Sequence, residues 1–363
     1  MRWGASRSDT LEYYRVSWPD FGEMERLFCF EDGGKLDFSL GTTLKVSGQL
    51  PYIDMPDLGN SLIRIYAKTV DEDGEKHSEP LATMIPTSPN KDLSLKGTSG
   101  DVDLYSVLYL LQARKTRDVL TVPKGQNIIG YVTYLIVSVG LPYLVTKESA
   151  ATLNNDRTYD ALTSYLEIIN DLLDVAGYSS ANVDGNGQVL VSPYVSPSKL
   201  APAMTLKSGQ YAVFSPVVSY ELDMFEVPNA YTCVYSAAES ERPLSETVEN
   251  HNPDSALSIE SRGYVVDDGE IISELGGIEE DDPDFETKAR AILHDTAERR
   301  LMDASSKVES ITITHLWVPF KIGENVTIEY SGVGTWTMNA YSKSIELGVG
   351  LKCATRLRRF IDG

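Results

Sequence analysis

Hydrophobic and polar positions alternate with period two over most of the first hundred residues, and turn-forming residues break the alternation at intervals. Leu11-Glu12-Tyr13-Tyr14-Arg15-Val16-Ser17-Trp18 closes at Pro19, and Met24 to Glu31 closes at Asp32-Gly33-Gly34. Leu62-Ile63-Arg64-Ile65-Tyr66-Ala67 runs into Asp71-Glu72-Asp73-Gly74, and the pattern continues to Pro89. Such runs predict strands joined by tight turns, an antiparallel barrel or sandwich over residues 1–100.

The period then changes. Asp103 is placed to cap an apolar run from Leu104 to Leu111, and after Val122-Pro123-Lys124-Gly125 the residues Ile128, Ile129, Val132, Leu135 and Ile136 share one helical stripe that stops at Gly140. Leu162, Tyr165, Leu166, Ile169, Leu172, Leu173 and Ala176 predict a second amphipathic helix, ended by a left-handed Gly177. A hairpin follows at Asp184-Gly185-Asn186-Gly187, so residues 101–205 read as a helical unit carrying a β-hairpin.

Strands return at Tyr211 to Leu222 and Tyr231 to Ser236. A polar, acidic stretch and a helix from about Phe285 to Ala304 then intervene before Ile311-Thr312-Ile313, Val326-Thr327-Ile328, Trp336 to Leu347 and Leu351 to Phe360. Residues 206–236 and 307–363 therefore read as a second β unit, split by an insertion at 237–306. The expected class is mainly β with α+β accessory domains.

Charge narrows the function classes. The 32 Lys and Arg against 53 Asp and Glu give a net charge of −21, which repels phosphate backbones and anionic lipid. Cys29, Cys233 and Cys353 are odd in number and far apart, so neither a disulfide framework nor a zinc site is written in them. Tyr131 to Val145 is broken by Gly140 and Pro142 before it could span a bilayer, and the N-terminus has no apolar signal run, so synthesis and folding in a cytoplasm are expected.

Candidate chemistry is sparse. His77, His251, His294 and His315 are isolated, and His294-Asp295-Thr296-Ala297-Glu298 lacks the paired ligands of a zinc-protease helix. Asn182-x-Asp184-x-Asn186-Gly187 opens like a calcium loop, but Pro193 stands where the bidentate acid belongs, and a hairpin turn explains the same letters. Gly97-Thr98-Ser99-Gly100 is not a nucleophile elbow, and no phosphate-binding glycine loop is present. Asp267, Asp268, Glu270, Glu274, Glu279, Glu280, Asp281, Asp282, Asp284 and Glu286 form an unbroken acidic run, read as a solvated loop whose last acids favour the start of the next helix. The other reading is a surface that repels DNA or meets a basic partner.

The order of elements, with several phrases, resembles the tail hub (baseplate hub) proteins of tailed bacteriophages. The phrases are Leu44-Lys45-Val46-Ser47-Gly48; Leu62 to Ala67 followed by Glu79-Pro80-Leu81-Ala82-Thr83; Asn170-Asp171-Leu172-Leu173-Asp174-Val175-Ala176-Gly177-Tyr178 with its hairpin and Tyr194; Glu226-Val227-Pro228-Asn229-Ala230; and Trp317-Val318-Pro319-Phe320 through Gly323-Glu324-Asn325-Val326 to Arg356-Leu357-Arg358-Arg359. The resemblance implies two tail-tube-like antiparallel β-barrels per subunit, the second split, with three subunits forming a ring of six. Such a ring adapts a sixfold tail tube to a threefold tip around the channel for the tape-measure protein and the genome, and an acidic wall keeps DNA from sticking.

It implies as partners a homotrimer, the tail tube or distal tail protein, the tape-measure protein and tail tip or fibre proteins. It also implies a place in the virion tail after assembly in the host cytoplasm. No specific nucleic-acid binding, membrane span, cofactor, metal or catalytic residue is expected, and the end at Phe360-Ile361-Asp362-Gly363 leaves no room for a lytic domain. Two other readings stand beside it: a cell-wall glycosidase with its carboxylate pair hidden among many acids, and a carbohydrate-binding module using some of the 20 tyrosines and 4 tryptophans, Trp336 among them.

Overall fold

The alternating segments pair as strands. The computed structural model describes residues 7–359 except 72, 88–90, 96, 210–212, 223–226, 237–243, 273–274, 276–277, 279–281 and 306–308. Of the expected boundaries, Pro89, Tyr211, Glu226 and Phe360 lie outside the described residues. The first half contains β1 (Ser8–Val16), β2 (Glu23–Leu27), β3 (Gly34–Ser39), β4 (Val46–Ile53), β5 (Leu62–Val70), β6 (Lys76–Pro86), β7 (Asp92–Ser94) and β8 (Gly97–Ser106). They lie in the order β2-β1-β5-β6-β8-β4-β3, all antiparallel, with β7 folded back on β8. Beyond β2 the chain crosses to β4, where Ile53 N donates to Cys29 O (2.8 Å) and Glu31 N to Pro51 O (3.0 Å). β5 is buried on both faces: Ile63 and Ile65 point into the core of this half, while Leu62 and Arg64 point outward and are covered by the helical segment.

The helical segment comprises α1 (Leu108–Ala113), β9 (Leu120–Val122), α2 (Ile128–Ser138), β10 (Tyr143–Val145), β11 (Arg157–Tyr159), α3 (Tyr165–Val175), β12 (Asn182–Val183) and β13 (Val189–Val191). The α2 stripe is buried at every expected position, Ile128, Ile129, Val132, Leu135 and Ile136, and Asn127 caps the helix by accepting from Gly130 N at 2.6 Å. Ser164 caps α3, and Gly177 ends it at φ +71°. Two expectations are corrected. Asp103 and Leu104 belong to β8, where Val102, Leu104 and Ser106 are buried and Asp101, Asp103 and Tyr105 are not, so strand alternation runs on to the Ser106 hydroxyl, which accepts from Leu108 N at the helix start. Leu162 precedes α3, exposed and at φ +71°.

After a 3₁₀ turn at Pro197–Lys199 come β14 (Pro202–Lys207), β15 (Phe214–Leu222), β16 (Ala230–Tyr235), β17 (Leu244–Glu249), α4 (Ile259–Arg262), β18 (Asp267–Ile272), α5 (Phe285–Ser305), β19 (Glu309–Leu316), β20 (Asn325–Tyr330), β21 (Gly334–Leu347) and β22 (Lys352–Arg358). β15, β19, β22 and β21 are adjacent, β20 joins β21, and β14 runs parallel to β20. The last half of β21 also pairs with β3, from Ser342↔Ser39 to Leu347↔Gly34. Both β halves thereby form one sheet of fourteen strands, mainly antiparallel, whose ladder path does not close among the described residues.

The segment Tyr231 to Ser236, expected in the second β half, pairs elsewhere. β16 lies between β17 and β18 in a separate three-stranded sheet, and its Tyr231, Cys233 and Tyr235 pack on Leu293, Ala297 and Leu301 of α5. Part of the acidic run expected as loop is therefore strand β18, its Asp267 and Asp268 turned to solvent.

Candidate assembly surfaces

The junction of the two β halves is built by small residues and one buried cation. A Cβ on Gly34 would lie 2.8 Å from Leu50 Cδ2, and one on Gly48 would lie 2.7 Å from both Leu36 Cδ2 and Lys35 O, so bare backbone lets β3 and β4 close over Leu36. Leu36, Trp317, Ile345, Leu347 and Leu351 share one apolar core drawn from both halves. Lys343, on β21 in phase with Ile345 and Leu347, is buried; its Nζ donates to Val318 O (2.7 Å) and Phe320 O (2.9 Å) and sits 4.0 Å from the Phe320 ring centre. Burial lowers its amine to about 8. Beside it, burial first and the Lys343 charge second hold His315 down at about 3. His315 Nδ1 donates to Leu316 O (2.7 Å) and Nε2 accepts from the Thr355 hydroxyl (2.8 Å), which satisfies the neutral ring.

The Asp184 hairpin fastens the helical segment to the outer face of β5 and β6. Asp184 Oδ1 accepts from Asn186 N (3.0 Å) and Gln188 N (2.8 Å), so its carboxylate shapes the hairpin turn. The Arg64 guanidinium, 7% exposed, donates to Asn186 O (3.0 Å), Thr83 Oγ1 (2.8 Å) and Glu23 Oε1 (3.0 Å), while the Thr83 hydroxyl donates to Gly185 O (2.9 Å). A cleft of about 190 Å³ opens beneath the hairpin, walled by Phe38, Trp317, Phe320 and Lys343.

The acidic run is divided between roles. Asp282 accepts from Lys288 Nζ (2.5 Å) and from Asp284 N (2.8 Å), which orders the start of α5, and Glu286 pairs with Arg290 at 3.0 Å. Glu270 faces inward to Arg300 at 2.8 Å, and Glu274, Glu279, Glu280 and Asp281 lie outside the described residues.

The histidines are not brought together. His77 pairs with Asp71, His251 lies exposed between Glu249 (2.9 Å) and Glu260 (2.7 Å), His294 is exposed on α5, and His315 is buried in the junction. Among the described residues no three His, Cys, Asp or Glu side chains are grouped to hold a metal. Cys29, Cys233 and Cys353 are free thiols, and burial raises the last two to about 11. Hydrogen bonds from Tyr66 to Glu23, from His251 to Glu260 and from Lys288 to Asp282 lower these three carboxyls. Trp336 packs partly against the core of the second half.

A long sheet spanning both ends of the chain, a helical segment latched to it and a small α/β body inserted in its second half make up a fold that solved structures of tail proteins share over nearly the whole chain. Among solved structures, the chain is similar to a tail protein from Neisseria meningitidis (TM-score 0.68, 13% identity, covering 97% of each chain). It is also similar to the 43 kDa tail protein of prophage MuSo2 from Shewanella oneidensis (0.61, 10%, 96% of this chain and 98% of that one) and to a prophage tail protein from Listeria monocytogenes (0.57, 12%, 96% and 94%). No protein-family model and no curated protein matches the sequence. Among the described residues no helix is long and apolar enough to cross a membrane.

The buried Lys343, the Arg64 latch and the separate β16 sheet were not anticipated from the sequence. For Lys343 a signal existed, because it occupies the inward phase of a strand whose neighbours in that phase are Ile345 and Leu347.

Proposed function

We propose that the chain is a structural tail hub subunit, without enzymatic activity, and that three copies form a ring adapting a sixfold tube to a threefold tip around the DNA and tape-measure channel. The observation that carries this reading is the β3–β21 junction. It joins the first-half strands β2-β1-β5-β6-β8-β4-β3 to the second-half strands β14-β20-β21-β22-β19-β15 through backbone hydrogen bonds and a shared core. Two β units fixed side by side in each of three subunits present six units to a sixfold tube. The bonds between the chain after β2 and β4, Ile53 N to Cys29 O and Glu31 N to Pro51 O, support closure of the first set into a barrel.

In this reading residues 1–106 are the first barrel, 107–201 the helical accessory unit, 202–229 with 307–363 the second barrel, and 230–306 the acidic insertion. The tube or distal tail protein binds one face of the ring and tip or fibre proteins the other, in a virion tail assembled in the host cytoplasm. DNA passes through without specific contacts. Mass measurement on the purified full chain tests the ring directly: a trimer, with a threefold ring beneath the tube in electron images of tails, is expected. A monomer at all concentrations that also fails to enter tails would refute it.

A further inference from the structure

Every buried apolar member of the core beneath β16–β18 comes from Tyr231 to Leu301, so this body is filled by its own residues. The other joints of the molecule bury apolar side chains across them. Val16 and Leu62 of the first half lie in the helical core, and Trp317 and Leu347 of the second half lie in the core of the first.

The joint between the α5 body and the helical segment is polar instead. Both oxygens of Asp174, at the end of α3, accept from arginines of α5: Arg299 at 3.0 Å and Arg300 at 2.8 Å. Around this pair Tyr194 OH donates to Asp303 at 3.3 Å and the Asn154 amide donates to Leu275 O. Clefts of about 670, 430 and 230 Å³ run along the joint, and Arg299 lines all three, its buried Nε without a hydrogen bond. Residues 237–306 carry 19 acids against 6 bases, and the remainder of the chain is also net negative, so the two bodies repel at long range. Partly exposed ion pairs oppose that repulsion, and such pairs are weak and exchangeable.

We infer that the body formed by β16, β17, β18 and α5 swings as a unit against the helical segment, with Asp174 as the clasp that Arg299 and Arg300 hold closed. The movement needs no ring, so its test is independent of the hub reading. Spin labels at Thr247 on β17 and Val119 in the helical segment, both exposed, report the separation in the full chain, with half-buried Cys29 replaced by serine. Losing two partly exposed pairs of a few tenths of a kcal/mol to 1 kcal/mol each raises the separated population about two- to thirtyfold in Asp174→Asn. The rise is largest at about 10 mM salt and shrinks by about 0.5 M, where repulsion is screened. Asp254→Asn, which removes the same charge from an exposed loop, leaves the wild-type distances, and amide exchange in β16 stays protected throughout. Wild-type distances in Asp174→Asn at low salt would overturn the inference. So would a separation accompanied by lost protection in β16, which marks unfolding instead of movement.

Discussion

Replacing Gly185 by alanine tests the hairpin latch at its tightest point. A Cβ at this position would lie 1.8 Å from Pro80 O and 2.7 Å from Pro80 C, well inside the distance at which real Cβ atoms meet a backbone oxygen. Pro80 cannot retreat, because β6 is held to β5 from Ile63↔Met84 to Val70↔Lys76. The hairpin must therefore lift by more than about 1 Å, since ordinary contact begins near 3 Å. Lifting separates Thr83 Oγ1 from Gly185 O and Arg64 from Asn186 O. The first bond is neutral and contributes about 1 kcal/mol; the second involves a buried charge and contributes about 1.5–3 kcal/mol, so a loss near 3 kcal/mol is expected.

Gly177→Ala is the control, because Gly177 has φ +71° and open space around its Cβ position, leaving only a backbone penalty of about 1 kcal/mol. Urea unfolding of both variants separates steric from conformational loss. A double cycle with Arg64→Met adds the coupling: once the hairpin has lifted, losing Arg64 costs at least about 1 kcal/mol less than in the wild type. A Gly185→Ala loss no larger than that of Gly177→Ala, or strict additivity with Arg64→Met, would refute the latch.

Other consequences follow from the junction. Lys343 falls from its ordinary 10.5 to about 8 in the fold, so above pH 8 the unfolded chain binds more protons and stability rises with pH. The Lys343 contribution rises by about 1 kcal/mol between pH 8 and 9, read as the difference in urea midpoints between wild type and Lys343→Met, because the Cys233 and Cys353 thiols, raised from about 9 to about 11, begin to lose their contribution near pH 9 in both proteins. His315 lies at about 3 against an ordinary 6.5, so its stabilising contribution is complete above pH 6.5 and falls as pH drops toward 3, at about 1.4 kcal/mol per pH unit. His315→Gln flattens that acid limb between pH 6.5 and 4.5, and an unchanged slope would place the acid sensitivity elsewhere. Leu36→Ala opens a cavity in the shared core and lowers stability by about 2–5 kcal/mol in denaturant titration.

Local periodicity carried much of the fold. Helices α2 and α3 were readable because each combines a buried stripe with a polar cap, and β5 and β21 because their inward positions alternate. Leu104 was misread because Leu104, Ser106 and Leu108 continue without a break from strand to helix, and only pairing with β4 tells the two apart. β17 and β18 were hidden because β17 turns Ser245, Thr247 and Glu249 to solvent and β18 turns out Asp267 and Asp268, so composition resembled a loop. The joints were invisible for a different reason. Ser342↔Ser39 spans most of the chain, Arg64 meets Asn186 across 122 residues, and Arg300 meets Asp174 across 126. Nothing in a window of a dozen residues records which edge another segment will find.

The three joints differ in the forces that close them, and the difference orders their stiffness. The β3–β21 junction combines a main-chain ladder with apolar burial, and its demands on side chains are modest: little beyond backbone at Gly34 and Gly48, and apolar bulk at Leu36, Ile345 and Leu347. The hairpin latch asks for more, a buried arginine with every partner in place and a glycine against Pro80. The Asp174 clasp asks for least rigidity, since its ion pairs are partly exposed and clefts run along it. Stiffness thus falls from the paired sheet outward to the acidic body, and the segment richest in negative charge is the one least firmly attached.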